Sequence, residues 1–199
     1  MKVLLILAHP RPGSFNHAIA ATVVQAVKEN GHTVISHDLY AEHFDPVLPY
    51  EEIPRDVLLD PVIAQHCREI VEADGIVIVH PDWWGQPPAI LKGWIDRVVR
   101  PGVAYRFLDS DTGGGIPAGL LKARAVLIFN TANTPAEREQ AVFGDPLERL
   151  WRDCIFSFCG VPVFHRRMFS VVVTSTETER AAWLSEADEI TRRYFPPGA

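Results

Sequence analysis

The stretch Val77-Ile78-Val79-His80-Pro81-Asp82-Trp83-Trp84-Gly85-Gln86-Pro87-Pro88-Ala89-Ile90-Leu91-Lys92-Gly93-Trp94 decides the fold. An uninterrupted apolar run ends in a proline, two adjacent tryptophans and a glycine. A second proline pair then opens an amphipathic helical stripe. Continuous apolar runs suit strands buried on both faces of a parallel sheet. In such a sheet the loop at the carboxyl end of a strand is where ligands bind. Two indoles placed there can each bury roughly 150–250 Å² of mostly apolar surface. Residue types alone leave two readings open: the tryptophans pack beneath a neighbouring loop, or they wall a ligand site.

Outward from this stretch, further runs rich in apolar residues fall at 3–8, 34–39, 125–129 and 161–173. Helical stripes lie between them. Phe15, Ala18, Ile19, Thr22, Val23, Ala26 and Val27 share one face, with Ser14 placed to cap the start and Gly31 just past the end. Further helices are predicted over 62–73, from Pro88 through Val99, over 146–159 and over 177–194. Strand–helix alternation of this kind predicts an α/β fold: a doubly wound, five-stranded parallel sheet in the order 2-1-3-4-5, helices on both faces, one domain over 1–199. Two segments look irregular, 41–58 and 107–120, the latter around Thr112-Gly113-Gly114-Gly115.

Composition removes several functional classes. The 199 residues are 47% apolar and 22% charged, with a formal net charge of −6 and no basic run. No nucleic-acid footprint is therefore expected. No apolar run approaches the roughly 18 residues of a membrane span. The N-terminal Met1-Lys2-Val3-Leu4-Leu5-Ile6-Leu7-Ala8 runs into His9-Pro10-Arg11 without a small-residue cleavage site, and reads as a strand rather than a signal peptide. Cys67, Cys154 and Cys159 sit in apolar surroundings and read as reduced core thiols, which places the chain in the cytoplasm. His32, His37, His43, His66 and His165 lack metal-ligand spacing, so no metal is expected. His80 is placed to bond loop backbone, and Glu51-Glu52 reads as a solvated loop face.

Three loops follow buried strands. His9-Pro10-Arg11-Pro12-Gly13-Ser14-Phe15-Asn16 opens a helix whose free N–H groups and dipole favour an anion. It is neither a GxGxxG nor a Walker A loop. Residues 81–88 supply aromatics, and Asn130-Thr131-Ala132-Asn133-Thr134-Pro135 supplies small polar groups. With the strand order above, the three converge at the switch point between strands one and three. A phosphate suits the first loop, a flat ring the second, and the ring's polar edge the third.

The chain resembles the flavodoxin-like NAD(P)H:quinone oxidoreductases, the DT-diaphorase type that includes modulator-of-drug-activity proteins and potassium-efflux ancillary flavoproteins. The likeness rests on Leu7-Ala8-His9-Pro10 with Ser14-Phe15-Asn16, Asp38-Leu39-Tyr40 with Phe44-Asp45-Pro46-Val47-Leu48, and Ala73-Asp74. It continues through Pro81-Asp82-Trp83-Trp84-Gly85, the run Pro88-Ala89-Ile90-Leu91-Lys92-Gly93-Trp94-Ile95-Asp96-Arg97-Val98, Ala104-Tyr105-Arg106-Phe107 and Phe158-Cys159-Gly160. The resemblance implies that His9, Ser14, Phe15 and Asn16 hold the phosphate and ribityl end of an FMN or FAD. It implies that Pro81, Asp82, Trp83, Trp84 and Gly85 hold the isoalloxazine, with Thr131, Ala132 and Asn133 near the pyrimidine edge. Tyr105 and Phe107 match aromatics that reach the partner subunit's active site and its substrate.

The implied activity is two-electron reduction of a quinone or related small electrophile by NAD(P)H, in a ping-pong hydride transfer carried by the flavin, with no catalytic side chain. An alternative within the same resemblance is an ancillary flavoprotein that senses redox state for a cation-efflux partner. The chain departs from the family in two places. Ala132-Asn133 replaces a double glycine, and Glu137 and Phe143 stand where the DT-diaphorase branch has a tyrosine–histidine relay. A homodimer is expected, because Trp94, Ile95 and the segment Val103-Ala104-Tyr105-Arg106-Phe107 look surplus to one sheet's needs.

Overall fold

The computed structural model describes residues 1–108 and 117–198. In chain order the elements are β1 (Lys2–Leu7), α1 (Phe15–Glu29), β2 (Thr33–Asp38), α2 (Pro61–Glu72), β3 (Gly75–Pro81) and α3 (Ala89–Val98). There follow β4 (Tyr105–Arg106), β5 (Ala118–Gly119), β6 (Ala125–Ala132) and α4 (Ala136–Arg138), which runs into a π turn over Glu139–Phe143. The chain ends with α5 (Pro146–Arg149), continued by π-helical turns over Leu150–Phe156, then β7 (Val163–Ser170) and α6 (Glu177–Tyr194). The main sheet has the order β2-β1-β3-β6-β7, all parallel, which is the expected 2-1-3-4-5 once the two-residue pair β4-β5 is set aside. Thr112-Gly113-Gly114-Gly115 lie outside the described residues.

Strand alternation sorts the core into two layers. Leu4, Ile6, Ile76, Ile78, Val126 and Ile128 point to the face covered by α2, α3 and the helix after Pro146. Val3, Leu5, Val77, Val79, Leu127 and Phe129 point to the face covered by α1 and α6. Local signals match the elements they start. Asp60 accepts the Val62 N–H at 2.8 Å with Pro61 in the first turn of α2, and Thr176 with Glu179 forms a capping box on α6. Ser14 does precede α1, but its hydroxyl makes no cap bond.

Several expectations are corrected here. Trp94 is fully buried within its own chain and donates its indole N–H to Nδ1 of His66 at 3.1 Å, and Ile95 is 8% exposed, so neither is surplus surface. Glu52 is not solvated. Arg97 grips its carboxylate through Nε (3.0 Å) and Nη2 (2.6 Å), and also donates to the Asp45 carbonyl at 2.7 Å. Arg100 donates to the carbonyls of Glu52 and Pro54, both at 2.8 Å. This bidentate, buried pair pins the irregular 41–58 segment to α3. Gly93 completes the joint: a β-carbon there would collide with the Pro46 backbone. Cys67 and Cys159 are buried as expected, whereas Cys154 is exposed.

Candidate functional site

The carboxyl ends of β1, β3 and β6 bring the three loops together. Ala8 donates its N–H to the Val79 carbonyl (2.9 Å) and Asp82 to the Thr131 carbonyl (2.7 Å), so the loops leave the sheet in fixed register. Two adjoining cavities lie above them. One, of about 370 Å³, is lined by His9, Arg11, Ser14, Phe15, Asn16 and Pro81, among others, and reaches Val172 and Val173. The second, of about 430 Å³, is lined by Trp84, Gly85, Glu139, Phe143 and Pro146. They share Asp82, Ala132, Asn133 and Thr134 as a common wall.

The first cavity carries donors and positive character. It opens at the N-terminus of α1, where the helix dipole favours an anion. Arg11 is exposed at its rim. The Arg11 N–H donates to Nδ1 of His9 at 3.1 Å, so a neutral His9 carries its proton on Nε2 and keeps a donor free. Burial pushes the His9 pKa down, which favours that neutral form. Asn16 is 2% exposed; its Nδ2 donates to Thr131 Oγ1 at 2.9 Å, and its Oδ1 has no partner. The Thr131 hydroxyl can donate or accept, so the amide can turn over without losing that bond and offer Nδ2 to a ligand. A buried, orphaned amide atom facing a cavity is what an absent polar ligand leaves behind.

The second cavity owes its shape to a two-residue hairpin turn. Trp83 and Gln86 exchange backbone hydrogen bonds at 3.0 and 3.1 Å. Trp84 (φ 59°) and Gly85 (φ 69°), both left-handed, are the two central residues, as in a type I′ turn. Asp82 Oδ1 accepts the Gly85 N–H at 2.9 Å and closes the loop from inside. The turn throws Trp84 outward: it is completely exposed and Trp83 is 42% exposed, so neither indole packs under a neighbouring loop. Below the loop, His80 is wholly buried. Trp151 Nε1 donates to its Nε2 at 3.0 Å, and Nδ1 reaches the Pro81 carbonyl at 2.8 Å, so His80 does bond loop backbone.

Two carboxyl groups border this cavity, Glu139 and, on the wall shared with the first, Asp82. Burial raises the Asp82 pKa, although the Gly85 hydrogen bond works against it. Glu139, 3% exposed, also has a raised pKa, caused by burial and then by the nearby Asp82 and Asp145. Arg166 stands behind this acidic group, donating to Asp145 Oδ2 at 2.7 Å and to Asn130 Oδ1 at 2.9 Å. Sequence reading missed Glu139. It singles out Glu137, which is exposed, whereas Glu139, at the head of the π turn, is buried.

His9, Ser14, Phe15, Asn16, Pro81, Asp82, Trp83, Thr131, Ala132 and Asn133 line the first cavity, while Trp84 and Gly85 line the second. Asn133, in place of the family's glycine, accepts the Val173 N–H at 2.9 Å and ties the third loop to the segment after β7. Tyr105 and Phe107 line neither cavity. Tyr105 packs on Phe107 and Phe158, with centroids 5.7 and 4.8 Å away, and Arg55 lies over the Phe107 ring. Residues 164–167 belong to β7. His37 and His66 are buried and locally bonded: His37 lies between Glu42 (3.0 Å) and Glu69 (2.6 Å), and His66 accepts from Trp94.

A parallel five-stranded sheet with a two-chambered cleft over its β1/β3 switch point defines a doubly wound α/β protein of the nucleotide- and flavin-binding kind. A family model described as a flavodoxin-like fold matches residues 1–191. The chain is 33% identical to an uncharacterized NAD(P)H oxidoreductase of Haemophilus influenzae over 196 residues, covering 96% of this chain and 95% of that one. It is 31% identical over 217 residues to the ribosyldihydronicotinamide dehydrogenase [quinone] of Rattus norvegicus, covering 95% and 91%. It shares its fold with an FMN-dependent NADH-azoreductase from Bacillus anthracis, solved in complex with FMN, at TM-score 0.79 and 17% identity over 98% of this chain and 100% of that one. The chain belongs to the flavodoxin-like fold family, and within it to the NAD(P)H:quinone oxidoreductases. It is an NAD(P)H quinone oxidoreductase-like enzyme. No described helix is long and apolar enough to cross a membrane.

Proposed function

We propose that the two cavities form one flavin site, and that the enzyme passes two electrons from NAD(P)H to a quinone or related electrophile by successive use of that site. The observation that carries this reading is the Asn16 amide: buried, bonded on one side to Thr131 and unpartnered on the other, beside the N-terminus of α1. Asn16, Ser14 and His9 would hold the phosphate and ribityl end, with Phe15 on the flank. The 81–85 loop would hold the ring, and Thr131, Ala132 and Asn133 its polar edge. The donors of the first chamber suit an anionic end, and the carboxyl groups of the second suit a ring edge that donates a hydrogen bond.

When bound, the flavin supplies hydride chemistry that no side chain here provides. The chain's own residues orient and enclose. The Trp84–Gly85 turn overhangs the slot, Asp82 locks the turn, and His80, backed by Trp151, holds the strand end beneath it. Tyr105 and Phe107 stand apart from the cavities of their own chain, which fits a role in the partner subunit's cleft of a homodimer. The reduced, buried Cys67 and Cys159 fit a cytoplasmic setting.

Heat release and chromatography of the flavin from purified protein tests the reading and separates FMN from FAD. A yellow protein that oxidises NAD(P)H with simple quinones at about 1 s⁻¹ or faster supports an enzyme. A colourless protein that takes up neither flavin overturns the site.

A further inference from the structure

Ser14, His17 and Asp38 form a hydrogen-bonded chain at the floor of the anion chamber. Ser14 Oγ lies 2.8 Å from Nδ1 of His17, and Nε2 of His17 lies 3.1 Å from Oδ2 of Asp38. Asp38 is held in place because its Oδ1 accepts the N–H groups of Tyr40 and Ala41, both at 3.2 Å. Only Ser14 of the three lines the chamber. Among the described residues, His9 has its ring 6.2 Å from that of His17, Lys28 and Glu29 share the groove on its other flank, and Arg11 lines the chamber beside Ser14.

The proton arrangement on this chain has two settings. A carboxylate accepts only, so Asp38 fixes the His17 proton on Nε2. A neutral His17 then has a bare Nδ1, which takes the hydroxyl hydrogen of Ser14 and leaves Ser14 presenting lone pairs to the chamber. Those lone pairs repel a phosphate oxygen. A protonated His17 donates from Nδ1 to Ser14 Oγ, and the hydroxyl hydrogen is freed to point at the anion. The second setting also adds a positive charge behind the serine, balanced by Asp38.

We infer that His17 is a positioning residue that couples phosphate binding to proton uptake: the anion is held tightly only when His17 carries a second proton and turns Ser14 into a donor. The inference rests on the flavin reading above and concerns its phosphate end alone. The proton comes from solvent and returns to it when the anion leaves.

Calorimetry of FMN, FAD and riboflavin binding to the apoprotein, in buffers of different ionisation enthalpy at about pH 7.5, tests this. At that pH the FMN phosphate itself (second pKa about 6) contributes little. Wild type is expected to take up a substantial fraction of a proton with FMN or FAD and none with riboflavin, which lacks phosphate. Affinity for the phosphorylated flavins should weaken by up to about tenfold per pH unit as rising pH removes the second proton of His17, and riboflavin affinity should stay flat. His17→Gln keeps two hydrogen-bonding groups and cannot titrate; it should bind FMN without proton uptake and with a flat profile. Should that variant not fold, Asp38→Asn is expected to move the pH profile to lower pH. Proton uptake that persists in His17→Gln, or FMN binding by wild type with no proton uptake, overturns the inference. Failure to bind any of the three ligands overturns the flavin reading instead.

Discussion

Trp151 donates its indole N–H to Nε2 of His80 across 3.0 Å, with both residues buried. This contact joins the helix after Pro146 to the end of β3, and it settles which nitrogen of His80 is bare. The imidazole is thereby held neutral, and burial pushes its pKa down to about 4. His66 repeats the arrangement with Trp94 as donor and also falls to about 4.

These two histidines predict an acid limb of stability. In the unfolded chain each titrates near 6.5, so that state binds protons that the folded state refuses. The stability they confer is complete above about pH 6.5 and is lost as pH falls toward 4, at up to about 3 kcal/mol for each. Denaturant unfolding across that interval should show the decline. Trp151→Phe should also lower stability at neutral pH by about 1–3 kcal/mol, because it leaves His80 Nε2 buried without a donor. A flat profile would show that neither ring is enclosed.

Trp84 predicts a division between stability and function. Its φ of 59° is strained for a bulky residue, and its fully exposed indole packs on nothing in its own chain. Trp84→Gly should leave unfolding free energy unchanged or raise it by up to about 1 kcal/mol. Flavin affinity, read by fluorescence titration, should fall several-fold. A large loss of stability would mean that the indole is covered within the monomer.

Gly93 predicts the reverse. Gly93→Ala drives a methyl group into the Pro46 backbone, and the pinned 41–58 segment cannot retreat without breaking the Arg97–Glu52 pair. Overpacking of this kind costs about 1–3 kcal/mol. Thermal unfolding should show it, together with faster proteolysis between residues 41 and 58.

Glu139 predicts a stability change of opposite sign to the histidines. Its folded-state pKa is raised, so its contribution is present below the unfolded carboxyl value, about 4.3, and lost as pH rises through the folded value. Glu139→Gln should therefore stabilise the apoprotein at pH 7, and the gain should vanish below about pH 4. In the holoenzyme the same substitution places a permanent donor in the ring chamber. It should alter the pH profile of turnover with little change in KM for NAD(P)H.

The sheet was legible in the sequence because short apolar runs bounded by turn residues suit buried parallel strands: 3–8, 76–79 and 125–129 are apolar at every position. The three loops were legible because each follows such a strand directly. Trp94 misled because a helix stripe shows which residues are apolar and not whether a second layer of the same chain covers them; here His66 of α2 does so. Glu52 misled for a related reason, since its partner Arg97 lies 45 residues away. Glu139 was hidden because it heads a short π turn, which leaves no compositional mark. His17 was passed over because its chemistry depends on Asp38, 21 residues on at the end of another strand.

The bond between Asn16 and Thr131 spans 115 positions of chain. During synthesis, the loop after β1 is made early, but its wall does not exist until β6 has entered the sheet beside β3. Later contacts hold the frame: Asn30 donates to the Phe195 carbonyl at 2.8 Å, and His32 reaches the Pro196 carbonyl at 2.9 Å, so the turn after α1 is braced by the segment after α6. Long-range closure of this order is slow compared with local helix formation. The cleft therefore has no third wall until β6 is seated, so anything that binds there meets a sheet already assembled through β1, β3 and β6.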